Sequence, residues 1–423
     1  MTVDTKEQPG RAIYYGWYIV LALAITETFS YGIIYYSFQV FITPMQMQMD
    51  WSLAQISGAS SLALLISGFV TLPVGIWLDK YGARLLMTVA SILATLLLIA
   101  WSFVQTLPML YAIWILLGFT MAMLFYDPAF VVAANWFNQR RSLALALITF
   151  IAGFASTIFL PLADYLLQMV GWRSAVLILA IMYGLVTIPL HGFVLRRRPE
   201  DIGLMPDGKA EIAEEVESNK DIIAKSVGAS DAIRSRSFFL LTIAFGLITL
   251  ASMAIRYHFI PYAITTGIDA TTAAWFAGFI GATQVLGRLI FAPLEMRFSS
   301  PTMMFCTMLT IVIAFVILIV SQSLIFVGLF VVVFGAGFGA MTLVRPLILG
   351  ELYGTRHYGR INSVMSFMMI FVATLAPIGT SLMVEWTGDY QIAIYLLTAI
   401  AFLSLIPVLK LHFDKRKPEA NNI

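Results

Sequence analysis

Charge is scarce in this chain. Only 11% of its 423 residues are Asp, Glu, Lys or Arg, while 60% are hydrophobic, against about 25% charged in ordinary soluble domains. So little polarity cannot cover a water-facing surface, which excludes a soluble globular enzyme. Thiols and imidazoles are scarcer still. One cysteine and four histidines exclude an internal disulfide framework, and no metal-ligand spacing surrounds them. Cys306 lies in an apolar run, where a buried apolar role is expected. No glycine-rich loop is followed by Lys-Ser or Lys-Thr, so a phosphate loop is lacking. Gly335-Ala336-Gly337-Phe338-Gly339 reads as a surface for close helix packing instead. Nucleophile-and-base spacing is absent, no cofactor is implied, and the chain is not expected to be an enzyme.

What the sequence has is long apolar runs. Stretches near the ~20 residues needed to cross a bilayer occupy about 14–41, 51–78, 84–105, 108–136, 140–168, 172–194, 238–263, 271–294, 301–322, 324–352, 358–384 and 389–411. They lack the alternation of barrel strands, and lipid offers the backbone no hydrogen bonds, so they read as twelve spanning helices of an all-α membrane protein. The first run is as long as a full span and shows no small-residue cleavage site, unlike a cleavable leader.

Basic residues set the expected orientation. With the N-terminus inside, 22 of the 25 Lys and Arg fall on cytoplasmic segments and helix ends, eight of them between 196 and 236. Both termini are therefore expected to be cytoplasmic, in a multi-pass cell-membrane protein of the bacterial inner-membrane kind. The net charge of +2 is this inner-face bias and not a nucleic-acid signal, because the basic groups are not interleaved with aromatics along a groove. Tyr14, Tyr15, Trp17 and Tyr18 at the start of the first run read as interfacial anchors.

The charged stretch 196–237 divides the runs six and six. The expected organisation is an N-terminal six-helix bundle at 1–195, a cytoplasmic linker, and a C-terminal bundle at 238–423. The halves also repeat each other at an offset near 217. Asp127-Pro128 stands against Arg345-Pro346, Pro161 with Gly171-Trp172 against Pro377 with Asp389-Tyr390, and Asp79-Lys80-Tyr81-Gly82 against Met296-Arg297-Phe298-Ser299.

Four charges interrupt the apolar runs: Glu27, Asp127, Arg256 and Arg345. A charge at membrane depth costs roughly 2.5 kcal/mol or more, so those that persist face a partner or a water-filled route. Arg256 offers a fork of donors matched to carboxylate and is the candidate substrate-binding residue. Tyr31, Tyr35 and Tyr126 lie close enough in sequence to donate hydroxyl hydrogen bonds to the same ligand. Glu27 is the candidate proton carrier, since a carboxyl group that alternates between water and a dry site can load and release a proton. Asp127 and Arg345 read as an ion pair that closes an inner gate. His258, two residues beyond Arg256, points to another face and reads as structural.

Gly75-Ile76-Trp77-Leu78-Asp79-Lys80-Tyr81-Gly82-Ala83-Arg84 resembles the loop 2–3 signature of the major facilitator superfamily of secondary transporters. The resemblance extends over the whole chain. It implies two pseudo-symmetric six-helix bundles, alternating access, a monomer, and a cavity lined by helices 1, 4, 7 and 10, the four that carry the anomalous charges. It also implies that Asp79, with Arg84, latches the cytoplasmic side against a helix N-terminus of the other half. Tyr15-Gly16-Trp17-Tyr18, Tyr35-Tyr36-Ser37-Phe38-Gln39-Val40-Phe41 and His258-Phe259-Ile260-Pro261-Tyr262 are similar to the branch holding monocarboxylate transporters and oxalate/formate exchangers. Those transporters carry an anion-handling charge within helix 8, whereas here helix 8 is uncharged until Arg288 near its end. The exchangers use a lysine in helix 11, and none stands there. The expected function is proton-coupled transport of a small organic anion, a mono- or dicarboxylate. The alternative is proton-driven efflux of drugs or organic cations, with Glu27 and Asp127 binding the cation.

Overall fold

The computed structural model describes residues 14–137, 140–208, 228–295, 297–354 and 358–414, and the described secondary structure is entirely helical. Ten spanning helices are continuous or only locally disturbed: α1 Tyr15–Met49 and α4 Leu107–Trp136, α2 Leu53–Tyr81, α3 Ala83–Ser102, α7 Arg236–Thr265, α8 Ala270–Glu295, α9 Ser300–Val320, α10 Leu324–Tyr353, α11 Tyr358–Thr387 and α12 Tyr390–Asp414. The remaining apolar run, Leu143–Val194, has 52 residues. At 1.5 Å per residue it would be about 78 Å long, more than twice the ~30 Å hydrocarbon core. It reverses at Gly171, whose φ of 76° and ψ of 163° no helix contains and glycine adopts without strain. Two crossings result, α5 at 141–170 and α6 at 172–194. The chain is thus a multi-pass membrane protein with twelve crossings, and the even number places both ends of the described chain on one face, termed here the terminal face.

The repeat is visible in the helix boundaries. Leu53 and Ala270, Ala83 and Ser300, Leu107 and Leu324, and Arg141 and Tyr358 open equivalent helices, each pair 217 residues apart. Helices α1–α6 form one bundle and α7–α12 the other. Between the bundles, α2 packs on α11, α5 on α8, and the second half of α1 on α7. Glycines allow the closest approaches inside the second bundle: a Cβ at Gly339 would overlap the Gln284 carbonyl of α8, and one at Gly337 would crowd Ile311 of α9. The glycine-rich stretch of α10 is therefore packing surface, as its sequence implied.

Several expectations change. Cys306 is exposed on α9 and not buried; in a spanning helix an outward apolar side chain meets lipid, so burial in protein is not required of it. The first part of the linker does not hang free either. Tyr14 Oη donates to the carbonyls of Trp136 (3.1 Å) and Met205 (3.0 Å), Tyr15 Oη donates to Val194 (2.9 Å), and Trp136 Nε1 donates to Arg196 (3.2 Å). Tyr14 and Tyr15 thus strap the chain near residues 194–205 to the bundle and are not simple interfacial anchors. Burial, with Asp207 and Glu200 adding to it, pushes the Tyr14 phenol up to about 12, so it remains a donor at any physiological pH. Residues 209–227 of the linker lie outside the described residues.

Candidate functional site

Between the bundles lies a cavity of about 430 Å³, lined among others by Tyr31, Tyr35, Tyr126, Asp127, Met253 and Ile370. These come from α1, α4, α7 and α11, with α2 contributing Ser67 and Thr71. Two local departures from α-helix build its polar wall. The first is the π-helical stretch Ser30–Tyr36 in α1, where the Ser37 N–H donates to the Gly32 carbonyl at 2.9 Å, five residues back. In that register the residue five positions on returns to the same face, so Tyr36 joins Tyr31 and Tyr35 instead of turning away. Their rings form one cluster: Tyr31 lies 6.2 Å from Tyr35 and 6.4 Å from Tyr36 between ring centres, and stacks on Phe125 at 4.3 Å.

The second departure breaks α4 at Phe125, with φ −82° and ψ −170°. Pro128 explains the place. It has no N–H for the carbonyl of Leu124, and its ring would strike that carbonyl in an unbroken helix. The break presents Tyr126 and Asp127 on the first turn of a new half-helix, where unpaired N–H groups favour an acid. Asp127 is exposed and lines the cavity. Pro346, its counterpart, does not interrupt α10, which is helical throughout Leu324–Tyr353. Of the two pseudo-symmetric prolines, only Pro128 interrupts its helix.

Arg256 of α7 is half-buried. Its Nη2 donates to Tyr36 Oη at 2.5 Å, and its guanidinium lies 4.5 Å from the Phe338 ring centre and 5.4 Å from that of Tyr36. Phe338 is itself held by an i, i+4 ladder on α10, with Phe330–Phe334 at 5.1 Å and Phe334–Phe338 at 5.9 Å. Among the described residues Arg256 has no carboxylate partner, so most of its fork remains available. Tyr35 Oη reaches across to Met253 Sδ at 3.4 Å, on the helix that carries Arg256.

Two residues that the sequence did not single out belong with this group. Tyr36 is one, placed by the π turn. Arg288 is the other: it is half-buried, it donates from Nη1 to the Thr149 carbonyl of α5 at 3.2 Å, its Nε has no partner among the described residues, and its charge interacts with Tyr126, Tyr36 and Arg256. The signal was available, since the apolar run 271–294 continues six residues beyond Arg288.

Glu27 is placed differently from the other anomalous charges. It is 0% exposed, and neither carboxyl oxygen has a hydrogen-bond partner among the described residues. It sits within electrostatic range of Asp127, Tyr31, Tyr126 and Tyr183 but is sealed from the cavity. A chamber shared by all four charges, as read from the sequence, is therefore not what this conformation holds. Arg345 is half-buried on α10, acts electrostatically on Asp127 and donates from Nη1 to Met369 Sδ at 3.5 Å. His258 is buried, with Nδ1 at 3.1 Å from Tyr390 Oη and Nε2 at 2.9 Å from the Pro377 carbonyl; it joins α7 to α11 and α12 and is structural. The side chain of Asp79 lies outside the described residues. Arg84 is exposed and its Nε donates to the Gly192 carbonyl at 2.8 Å, a contact within its own bundle and not a bridge to the other.

On the face opposite the termini, two acids join the bundles. Asp164 of α5, 2% exposed, accepts from Thr271 Oγ1 at 2.7 Å. Glu385 of α11 accepts from the Ala54 N–H at 2.6 Å. Thr271 and Ala54 are the second residues of α8 and α2 and stand 217 apart, so the two contacts are pseudo-symmetric copies of a carboxylate at a helix N-terminus.

The Major Facilitator Superfamily model matches residues 23–282 and 241–423. Monocarboxylate transporter 12 of Xenopus laevis is 23% identical over 411 residues, covering 90% of this chain and 85% of that protein. The oxalate:formate antiporter of Oxalobacter formigenes is 25% identical over 257 residues, 60% of this chain and 57% of that one. Among solved structures, a bacterial homolog of the human lysosomal transporter Spinster, inward-facing and occupied, superposes with a TM-score of 0.74 at 13% identity, over 97% of this chain and 100% of that chain.

Proposed function

Because the chain belongs to the major facilitator superfamily, we propose that it is a proton-coupled secondary transporter of a small organic anion, a mono- or dicarboxylate, working by alternating access. The observation that carries this reading is the setting of Arg256: a guanidinium clamped between a tyrosine hydroxyl and a phenylalanine ring, beside a tyrosine-lined cavity, with Arg288 nearby and, among the described residues, no carboxylate to neutralise it. Such a group needs an anion, and its fork fits a carboxylate bidentately. Tyr31, Tyr35, Tyr36 and Tyr126 supply hydroxyl donors around it. The names of the relatives, a monocarboxylate transporter and an oxalate:formate antiporter, support the same substrate class.

In this reading residues 1–195 and 238–423 are the rocking units, 196–237 is a cytoplasmic connection, and the protein works as a monomer in a bacterial inner membrane with its termini inside. Purified protein in vesicles should take up a labelled carboxylate, and acetate-, lactate- or oxalate-like anions should compete for it. Competition by lipophilic cations alone would replace this reading with cation efflux through Glu27 and Asp127.

In this reading the Asp164–Thr271 and Glu385–Ala54 contacts close the face opposite the termini. A hydrogen bond to a charged group contributes about 1.5–3 kcal/mol. Asp164→Ala is therefore expected to shift the equilibrium about tenfold or more toward opening on that face. A cysteine placed at Tyr35 in a Cys306→Ser background should react correspondingly faster with an impermeant thiol reagent added there, and an unchanged rate would remove the gating role. For the opposite gate, exchanging the charges in Asp127→Arg with Arg345→Asp should restore transport above either single variant. No gain over the singles would end the pairing of these two residues.

A further inference from the structure

A second basic site lies away from the central cavity, on the terminal-face rim of the first bundle. There a pocket of about 750 Å³ is lined by Tyr81, Arg84, Thr88, Arg196, Arg197 and Asp201. Among the described residues each of its three guanidiniums is fixed by backbone carbonyls and not by an acid. Arg84 Nε donates to Gly192 at 2.8 Å, Arg196 Nη1 to Phe193 and Leu195 at 2.9 and 3.1 Å, and Arg197 Nη2 to Lys80 at 2.7 Å. The stem of Arg197 lies directly over Gly82 of the α2–α3 turn, which holds that side chain in place. Of five donors on each guanidinium, most are left over. The one acid in the lining, Asp201, is turned back on its own segment, accepting from the Arg198 N–H at 3.2 Å. Three ordered positive charges against one negative make a site for an anion with several oxygens.

The surroundings say which kind of anion. Leu85 lines the pocket and is itself 62% exposed, and Val89, Ile92 and Leu96 continue from it along α3 as an exposed apolar stripe at the i, i+4, i+7 and i+11 spacing of one helix face. Phe193 and Leu185 of α6 border the stripe, 74% and 71% exposed. A ligand with its charged end in the pocket can run its apolar end down this face into the bilayer. Basic pockets between spanning helices at headgroup depth suit anionic lipids, and guanidinium forks match phosphate oxygens.

We propose that the pocket binds an anionic phospholipid through its phosphate, with Arg84, Arg196 and Arg197 as the ligating residues. Because Arg196 and Arg197 open the segment joining the bundles, the bound headgroup fastens that segment to the α2–α3 turn.

Native mass spectrometry of the full chain released from micelles, with phosphatidylglycerol or phosphatidylcholine of equal chain length added, tests this. Wild-type protein should retain one phosphatidylglycerol about tenfold more strongly than phosphatidylcholine, and Arg196→Gln with Arg197→Gln should bring the two lipids to near parity. Should the double variant fail to fold, the exposed single change Arg197→Gln should still lose about threefold. Equal retention of both lipids by wild type, or undiminished preference in the variants, overturns the proposal. Displacement of phosphatidylglycerol by equimolar glycerol phosphate also overturns it, since that would assign the site to a soluble phosphate ester.

Discussion

Arg256→Gln is expected to reduce carboxylate uptake by a factor between about 30 and a few thousand, almost entirely through lost binding. Removing one member of a desolvated, hydrogen-bonded charge pair costs roughly 2–5 kcal/mol, and 1.4 kcal/mol is tenfold. The fold should survive, because among the described residues Arg256 makes one hydrogen bond, to Tyr36 Oη, and a single such bond contributes only about 1 kcal/mol. Thermal unfolding of the solubilised protein separates binding from folding. A ligand present at a hundred times its dissociation constant stabilises the native state by about 2.7 kcal/mol, and the variant should lose that shift while its ligand-free transition stays close to the wild-type one. Arg256→Lys should fall between, because a lysine keeps the charge without the planar fork. Full transport with unchanged affinity in Arg256→Lys would show that no bidentate contact is made.

Glu27→Gln is expected to abolish proton-driven accumulation while leaving anion counterflow intact. The carboxyl group is wholly enclosed and has no hydrogen-bond donor among the described residues, and an isolated ionised group in such a place costs many kcal/mol. The sealed conformation therefore favours the neutral acid, and an ionised Glu27 would have to wait in a state that admits water. That is the rule a coupled carrier needs: passage in one form only, with the proton moving alongside the substrate. Glutamine is neutral at every pH and passes without a proton. With one proton per anion, a gradient of one pH unit sustains about a tenfold accumulation ratio, the equivalent of 1.36 kcal/mol; in Glu27→Gln vesicles the ratio should fall to about one, while exchange of labelled for unlabelled anion continues. Accumulation that still follows the pH gradient would remove Glu27 from the coupling path.

Much of the architecture could be read from the residues. Twelve apolar runs became twelve crossings, and the register near 217 reappears in helix starts such as Leu107 and Leu324. The relation of Asp164 and Glu385 to each other could not be read, because neither acid stands at the 217 offset from the other; their partners Thr271 and Ala54 do. Tyr31 and Tyr35 are legible from their proximity to charged positions, and they line the cavity. In an uninterrupted α-helix Tyr36 would turn away from Tyr31 and Tyr35, and a π turn is a tertiary accommodation with no strong sequence mark. Arg288 counts in the sequence among the basic residues of helix ends although the apolar run 271–294 extends six residues past it, and α8 does continue to Glu295.

The sequence by itself determined the solvent, the number of crossings, the two-fold repeat and the short set of ionisable groups that the function can use, because the cost of charge and of unpaired backbone in hydrocarbon leaves few alternatives. Only the tertiary structure decided which of those groups meet the cavity. It opened Asp127 to the space between the bundles, clamped Arg256 against Tyr36 and Phe338, brought in Arg288, and sealed Glu27 away. The physical reason is that depth along a helix follows from counting, while azimuth depends on local winding and on the neighbour a helix packs against, and a single π turn or proline break moves a side chain from one environment to another.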